Sequence, residues 1–322
     1  MMILVTGGAG YIGSHVVMRL VEQGHDPVIV DKIAHPQAIF SKVKDKVQIV
    51  NGDLGDRDFL DSVFKKYSFE AVLHFAGSIE AGHSMKDPSF FFQNNVVNGV
   101  NLLDMMVKHR VNKIIFSSSA AVYKAKNGLL SESDTVAPEN FYGETKLEFE
   151  RLLNWYNKIY GIKFVGLRYF NASGVGYGLG ENHNPETHLI PLVLEAAQGK
   201  RDHLKVFGSN YPTPDGTCVR DYIHVMDLAM VHLLALEKIN DLPQVYNVGT
   251  GKGYSVREII NIAEEVSGRK VPVLDVPPRH GDAAFLVANP SEIQTAWGWK
   301  AQYDIKDIIK SAWEFHKKQK ND

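Results

Sequence analysis

Along the chain, short and wholly apolar runs alternate with longer stretches in which apolar residues recur at helical spacing. Met2–Thr6 is the first such run; Gly7-Gly8-Ala9-Gly10-Tyr11-Ile12-Gly13 follows, then an amphipathic stretch over residues 14–23. Apolar runs too short for a helix and bounded by turn residues read as strands buried on both faces. Similar runs lie at 27–31, 47–50, 71–75 and 113–116, with helix-like segments over 56–67 and 89–109 between them. A further helical pattern over 142–160 ends at Gly161 and leads into a strand over 162–167. Strands alternating with helices predict an α/β fold built on a doubly wound, Rossmann-like parallel sheet.

Beyond Asn171 the texture changes. Residues 172–185 are rich in glycine and asparagine and read as a loop, 189–199 as a short helix, and 211–216 as a turn-laden excursion. Residues 221–227 introduce a helix reaching 238, and 245–249 read as a strand returning to the sheet. The last third holds a helix over 255–267, an extended run over 271–276, a loop over 277–282 and a helix over 305–318. The expected division is a nucleotide-binding domain, 1–170 with 223–249 returning to it, and a smaller C-terminal substrate-binding α/β domain, 171–222 and 250–322.

Composition narrows the class. At 322 residues the chain can bury a full core, and a net charge of −2 leaves no basic excess for nucleic acid. The single cysteine, Cys218, excludes an intramolecular disulfide, fits a reducing, cytoplasmic compartment and reads as a packed small hydrophobe. The apolar start stops at Val5 and turns into glycines, so a signal peptide is not expected. No apolar run approaches the roughly 18 residues of a membrane span.

The first strand, glycine turn and helix supply the context that a dinucleotide fingerprint requires, with glycines letting the backbone approach a pyrophosphate at the helix N-terminus. Asp31 closes the second strand about 20 residues on, where an acid meets a ribose hydroxyl; its charge repels a 2′-phosphate and favours NAD over NADP. Lys32 beside it works the other way. Ligands of doubly wound sheets sit at the carboxyl ends of the strands, where Asp53, Phe75, Ala76, Gly77 and Ser119 fall. Asp53 also reads as a helix N-cap, and His74, inside an apolar strand, as a satisfied core histidine. Tyr142 and Lys146 share one helical face, and a nearby cation lowers a phenol's pKa from about 10, the requirement for a general base near neutral pH. Alone, such a pair is more often a core tyrosine beside a solvated lysine. The glycine turn and the run Ser117-Ser118-Ser119 upstream make it a candidate.

Three segments carry a resemblance that spans essentially the whole chain: Val5-Thr6-Gly7-Gly8-Ala9-Gly10-Tyr11-Ile12-Gly13-Ser14-His15, Arg168-Tyr169-Phe170-Asn171-Ala172 and Val219-Arg220-Asp221-Tyr222-Ile223-His224-Val225-Met226-Asp227-Leu228-Ala229. With Ser119 and the Tyr-x-x-x-Lys in order, the chain resembles the extended short-chain dehydrogenase/reductases and, within them, the UDP-glucose (UDP-galactose) 4-epimerases. The resemblance implies NAD held throughout turnover and reversible epimerisation through a 4-keto sugar. Tyr142 would exchange the proton of the 4-hydroxyl, Ser119 would hydrogen-bond the same oxygen, and Lys146 would hold the nicotinamide ribose. Implied cofactor contacts are Gly7, Gly10, Tyr11, Ile12, Asp31, Asp53, Leu54, Phe75, Ala76, Gly77, Asn94, Ser119, Tyr142, Lys146 and Phe170. For a UDP-hexose, Arg220 and Arg279 would meet the diphosphate with Asn171 and the backbone near Leu189; Val206 and Phe207 would face uracil, and Asp282 the nucleoside. Guanidinium groups suit phosphate because they engage its oxygens in a forked geometry. A homodimer through helices 89–109 and 141–160 is implied, with no metal, nucleic-acid or membrane partner.

Some positions depart from the family pattern. Ile79 stands where some bacterial relatives carry a lysine, Phe141 replaces a proline, Lys124 a glycine, and Leu286 a larger tyrosine, which leaves room for an N-acetyl group. A 4,6-dehydratase of the same fold needs an acid–base pair where this chain has Ala120-Ala121. Epimerases of UDP-N-acetylhexosamines or UDP-uronates and a UDP-uronate decarboxylase stay open. A non-catalytic NAD-binding protein would have no need of Ser119, Tyr142 and Lys146 together.

Overall fold

The computed structural model describes residues 1–32, 40–181, 186–239, 244–279 and 282–318. The predicted loops at 172–185 and 277–282 therefore lie partly outside the described residues, His280 and Gly281 among them. Contacts group the chain into two compact units, one of residues 1–124, 133–169 and 229–246, the other of 125–132, 170–228 and 247–322.

The chain opens with β1 (Met2–Thr6), α1 (Tyr11–Glu22), β2 (Asp26–Asp31), β3 (Gln48–Asn51), α2 (Arg57–Lys66) and β4 (Ala71–His74). It continues through α3 (Ala81–Ser84), α4 (Pro88–Phe92), α5 (Asn98–Lys108), β5 (Lys113–Ser119), β6 (Leu129–Leu130), α6 (Phe141–Tyr160) and β7 (Lys163–Tyr169). Next come β8 (Asn171–Ser173), α7 (Leu189–Ala197), β9 (Leu204–Phe207), β10 (Val219–His224), α8 (Val225–Lys238) and β11 (Gln244–Val248). β12 (Gly253–Ser255), α9 (Val256–Ser267), β13 (Val273–Val276), β14 (Phe285–Ala288), α10 (Ser291–Trp297) and α11 (Ile305–Lys318) complete it.

The first unit is built on a sheet of order β3-β2-β1-β4-β5-β7-β11. Pairing from β3 through to β7 is parallel. Strand order reverses between β1 and β4, the switch point at which such sheets open a crevice. Ile3, Leu4, Val5, Val72, Leu73, Ile114 and Ile115 are almost fully buried, as strands covered on both faces must be. Local signals set the helix ends. Asn140 Oδ1 accepts from the Gly143 N–H at 2.9 Å to cap α6, which terminates at Gly161 in the left-handed region. The helix expected over 89–109 is α4 and α5 joined by a π turn over Gln93–Val97. Such turns recur at functional sites, and this one re-aims consecutive asparagines.

In the second unit, β12-β10-β14-β6 form a sheet with β8 paired to β10, and β9 pairs with β13. Ile190, Leu194, Ile260, Ile308 and Trp313 fill its core. The stretch 221–227, read from sequence as the lead into a helix, is mostly the strand β10. Asp221 is wholly buried and accepts from the Thr250, Gly251 and Ala288 N–H groups, while Asp227 accepts from the Gln302 and Tyr303 N–H groups. The acids of this motif thus tie loops of the second unit together. Cys218 is buried and free.

Candidate cofactor and catalytic site

The turn after β1 is a backbone cradle. Gly7 has φ +70°, and a Cβ placed on it would stand 2.5 Å from the Ala76 amide nitrogen. β1 and β4 therefore approach each other at this turn closely enough to exclude any side chain. α1 then begins with no capping side chain and no acid in its first turn, a helix terminus suited to an anion.

A cleft of about 350 Å³ opens on this turn. The predicted Gly7, Gly10, Asp31, Leu54, Phe75, Ala76, Gly77 and Asn94 all line it with Lys32, together with Val30, Gly52, Ser78, Phe90 and Asn98, which sequence reasoning did not single out. Tyr11 and Ile12 lie in the first turn of α1 rather than on the wall. Asp31 Oδ2 accepts from the Ala9 N–H at 2.9 Å, which fixes the carboxylate at the end of β2. Lys32 Nζ lies 2.8 Å from Asp53 Oδ2, so the neighbouring acid takes up the cation that counted against NAD. Asp53 is not the helix cap: its Oδ1 accepts from the Gly55 N–H, whereas Asp56 caps α2 by accepting from the Phe59 N–H. Burial works to raise the Asp53 pKa, but hydrogen bonds from Lys32 and Gly55 outweigh it and hold the carboxyl low. Uncapped helix, glycine cradle and terminal acid together fit a dinucleotide lacking a 2′-phosphate.

Gly77 links this cleft to the candidate catalytic side chains: a Cβ there would lie 3.2 Å from Asn95 Oδ1 and 3.7 Å from Lys146 Nζ. Asn95, in the π turn, accepts from the Ser78 N–H at 2.7 Å and donates to Thr145 at 3.0 Å, locking the loop after β4 to α6. Ser119 stands close enough to the Tyr142 phenol to favour its ionised form. Lys146 Nζ donates to the Ser117 carbonyl at 2.8 Å and lies 4.9 Å from the centre of the Phe116 ring and 5.8 Å from that of Tyr142. Nothing in the sequence marked the Ser117 carbonyl as the partner of Lys146 or Asn95 as the tie to Thr145, because both act through tertiary contacts.

The electrostatics correct one expectation. The Tyr142 phenol is pushed up, not down: burial dominates, and Ser119 only partly offsets it. Lys146 faces the Ser117 carbonyl, and burial pulls its own pKa down to about 8 against the opposing charge of Glu150. His74 is the satisfied core histidine expected. It hydrogen-bonds Thr6 at 2.6 Å, and burial, then the charge of Lys146, pulls it down to about 3, so it is neutral.

The remaining candidates lie in the second unit. The Phe170 N–H donates to the Val248 carbonyl. Asn171 Nδ2 is buried without a hydrogen-bond partner among the described residues, an orphaned donor of the kind that a bound acceptor satisfies. Leu189 opens α7. Arg220 donates to the Ala283 carbonyl at 2.7 Å and stands 4.0 Å from Asp282, and the Arg279 guanidinium lies 3.7 Å from the centre of the Phe207 ring. Val206 and Phe207 cannot both present side chains to one base. Neighbours on a strand point to opposite faces, and Val206 is buried in the core of this unit.

The profile of the family described as "NAD dependent epimerase/dehydratase family" matches residues 3–249. A UDP-glucose 4-epimerase of Halalkalibacterium halodurans is 44% identical, covering 98% of this chain and 96% of that protein. The solved structure of UDP-glucose 4-epimerase from Brucella ovis in complex with NAD is similar with a TM-score of 0.91 at 42% identity, covering 97% of each chain. That from Bifidobacterium longum, in complex with NAD⁺ and UDP, gives a TM-score of 0.94 at 37% identity, covering 100% of this chain and 99% of that one.

Proposed function

The chain belongs to the NAD dependent epimerase/dehydratase family, and from that premise we propose that it interconverts UDP-glucose and UDP-galactose by NAD-dependent epimerisation at carbon 4, through a 4-keto sugar. The observation that supports this most is the grouping of Ser119 and Tyr142 with the buried Lys146 beside a cleft whose glycines and terminal acid suit NAD.

Gly7, Gly10, Asp31, Leu54, Phe75 and Asn94 would hold NAD, which would supply the hydride acceptor and then the donor. Tyr142 takes the proton from the 4-hydroxyl and later returns it to the same oxygen, which Ser119 steadies by hydrogen bonding. Because burial keeps the free phenol protonated, Tyr142 needs positive charge beside it, and the Lys146 ammonium provides it. Epimerisation requires the keto sugar to present its other face between the two transfers, so the protein must grip the nucleotide firmly and the hexose loosely. Arg220, Arg279, the orphaned amide of Asn171 and the backbone near Leu189 serve the diphosphate, Phe207 the base and Asp282 the nucleoside. Residues 1–170 with 223–249 form the NAD-binding part, and 171–222 with 250–322 the UDP-sugar part.

Ala120 and Ala121, in a turn capped by Ser119, offer no group for proton transfer, which argues against dehydration. Leu286, in place of the tyrosine some relatives carry, supports turnover of UDP-N-acetylhexosamines as well. A cytoplasmic homodimer is the working form; among the described residues no helix is long and apolar enough to cross a membrane. The test is to supply purified protein with UDP-galactose and no added nucleotide cofactor, and to follow UDP-glucose by coupled oxidation. UDP-glucose should form; none from NAD-loaded protein would sink the reading. UDP-N-acetylglucosamine tested alongside settles the sugar range.

A further inference from the structure

Three consecutive serines of β5 hold three residues spaced along one face of α6. Ser119 engages the Tyr142 phenol, the Ser117 carbonyl accepts from Lys146 Nζ, and the Ser118 hydroxyl donates to Glu150 Oε1. Tyr142, Lys146 and Glu150 follow one another by a helical turn, so a single strand end addresses all three. Glu150 is 3% exposed, and Arg168 of β7 meets it in a forked pair: Nε donates to Oε1 at 3.0 Å and Nη2 to Oε2 at 2.7 Å. Arg168 Nη1 also donates to the Tyr123 hydroxyl at 2.7 Å, and its guanidinium lies 4.8 Å from the centre of that ring. Buried ion pairs add little net stability over apolar pairs of similar volume. Stability alone therefore does not account for a buried pair one helical turn along α6 from Lys146.

We propose, resting on the epimerase reading above, that Glu150 clamped by Arg168 is a positioning residue: its carboxylate keeps Lys146 an ammonium ion and so sets the pH range in which Tyr142 accepts the sugar's proton. The groups that face Lys146 come from several elements. Tyr142 and Glu150 lie on α6, His74 on β4 and Ser117 on β5, with Arg168 and Tyr169 of β7 and Tyr123 behind them. His74 is neutral, and burial holds Tyr169 protonated, which leaves Glu150 as the negative charge in this set. Burial alone favours a neutral lysine, and Glu150 opposes it.

The prediction is a pair of shifts opposite in sign. Tyr142 and Lys146 titrate as a coupled pair. In Glu150→Gln the unmatched Arg168 makes the local potential more positive, and both limbs of the pH profile of kcat/KM move to lower pH by about one to two units. In Arg168→Met they move to higher pH. Glu150→Gln/Arg168→Met, lacking both charges, returns towards the parent, and Glu150→Asp, which keeps the charge, stays near it. A merely structural role would lower stability in both single variants and leave the limbs in place; that result overturns the proposal. Ultraviolet difference titration of the Tyr142 phenolate in NAD-loaded protein, with Tyr142→Phe as the blank, reads the same shifts without any sugar. An inactive parent therefore sinks the epimerase reading alone, while unmoved phenolate titrations sink the role of Glu150. Each single variant moves the limbs in its own direction, so either one alone decides the question even if the other does not fold.

Discussion

Tyr142 sits under opposing influences: burial that keeps its proton, and Ser119 and a nearby ammonium that favour losing it. Replacing it by phenylalanine removes the proposed proton carrier and little else, since the ring stays packed. Tyr142→Phe should retain NAD and the parental unfolding temperature while kcat falls about 10²–10⁴-fold, the usual contribution of a general base. Turnover like the parent's in the coupled assay would mean that another group carries the proton. His74 gives a second prediction. Its unfolded pKa is near 6.5 and its folded value about 3, so the unfolded chain binds the proton first. The neutral ring's stabilisation is complete above pH 6.5 and is lost as the pH falls from there towards 3. Between pH 7 and 4 the loss is on the order of 3 kcal/mol. Urea unfolding at those two pH values should therefore show a smaller acid loss in His74→Gln than in the parent; equal losses would contradict it. At this scale the Tyr142–Lys146 pair is legible because helical spacing alone puts both on one face. Glu150 has the same spacing, yet its meaning depends on Arg168, which only the register of β7 brings to it.

The turn joining β1 to α1 shows how an element limits its own sequence. Gly7→Ala would force a methyl into the left-handed region and against the Ala76 backbone. The expected cost is about 1–3 kcal/mol, with loss of co-purifying NAD measured by nucleotide released on denaturation. Gly24 has φ +75° but nothing within 4 Å of a Cβ, so Gly24→Ala should keep its NAD. If both variants behaved alike, the close approach at Gly7 would have no bearing on the cofactor. Strands of the first sheet are readable as unbroken apolar runs because both faces are buried. β10 is not: Arg220, Asp221 and His224 interrupt it, and its one acid, Asp221, is satisfied by backbone amides from distant loops. The π turn over Gln93–Val97 was equally hidden, since one extra residue in a helical turn leaves the apolar spacing nearly unchanged.

On the molecular scale, α6 carries the candidate pair Tyr142 and Lys146 at one end and an exposed apolar strip at the other. Trp155, Ile159 and Tyr160 are each more than half exposed, and Phe90 and Phe92 on α4 are also exposed. An apolar strip on the helices expected to pair supports the homodimer. Trp155→Glu/Ile159→Glu should sediment as a monomer at concentrations where the parent sediments as a dimer; a monomeric parent would end that reading. Periodicity and glycine placement were enough to specify the alternating α/β order, the nucleotide turn and the Tyr142–Lys146 face, because each is a local property of backbone geometry and side-chain spacing. Whether Tyr142 holds its proton, what balances Glu150, which acid caps α2 and which of Val206 and Phe207 is buried in the core were decided by folding. Those outcomes depend on burial and on partners far apart in the chain, and burial is a property that no stretch of sequence possesses until the rest has packed around it.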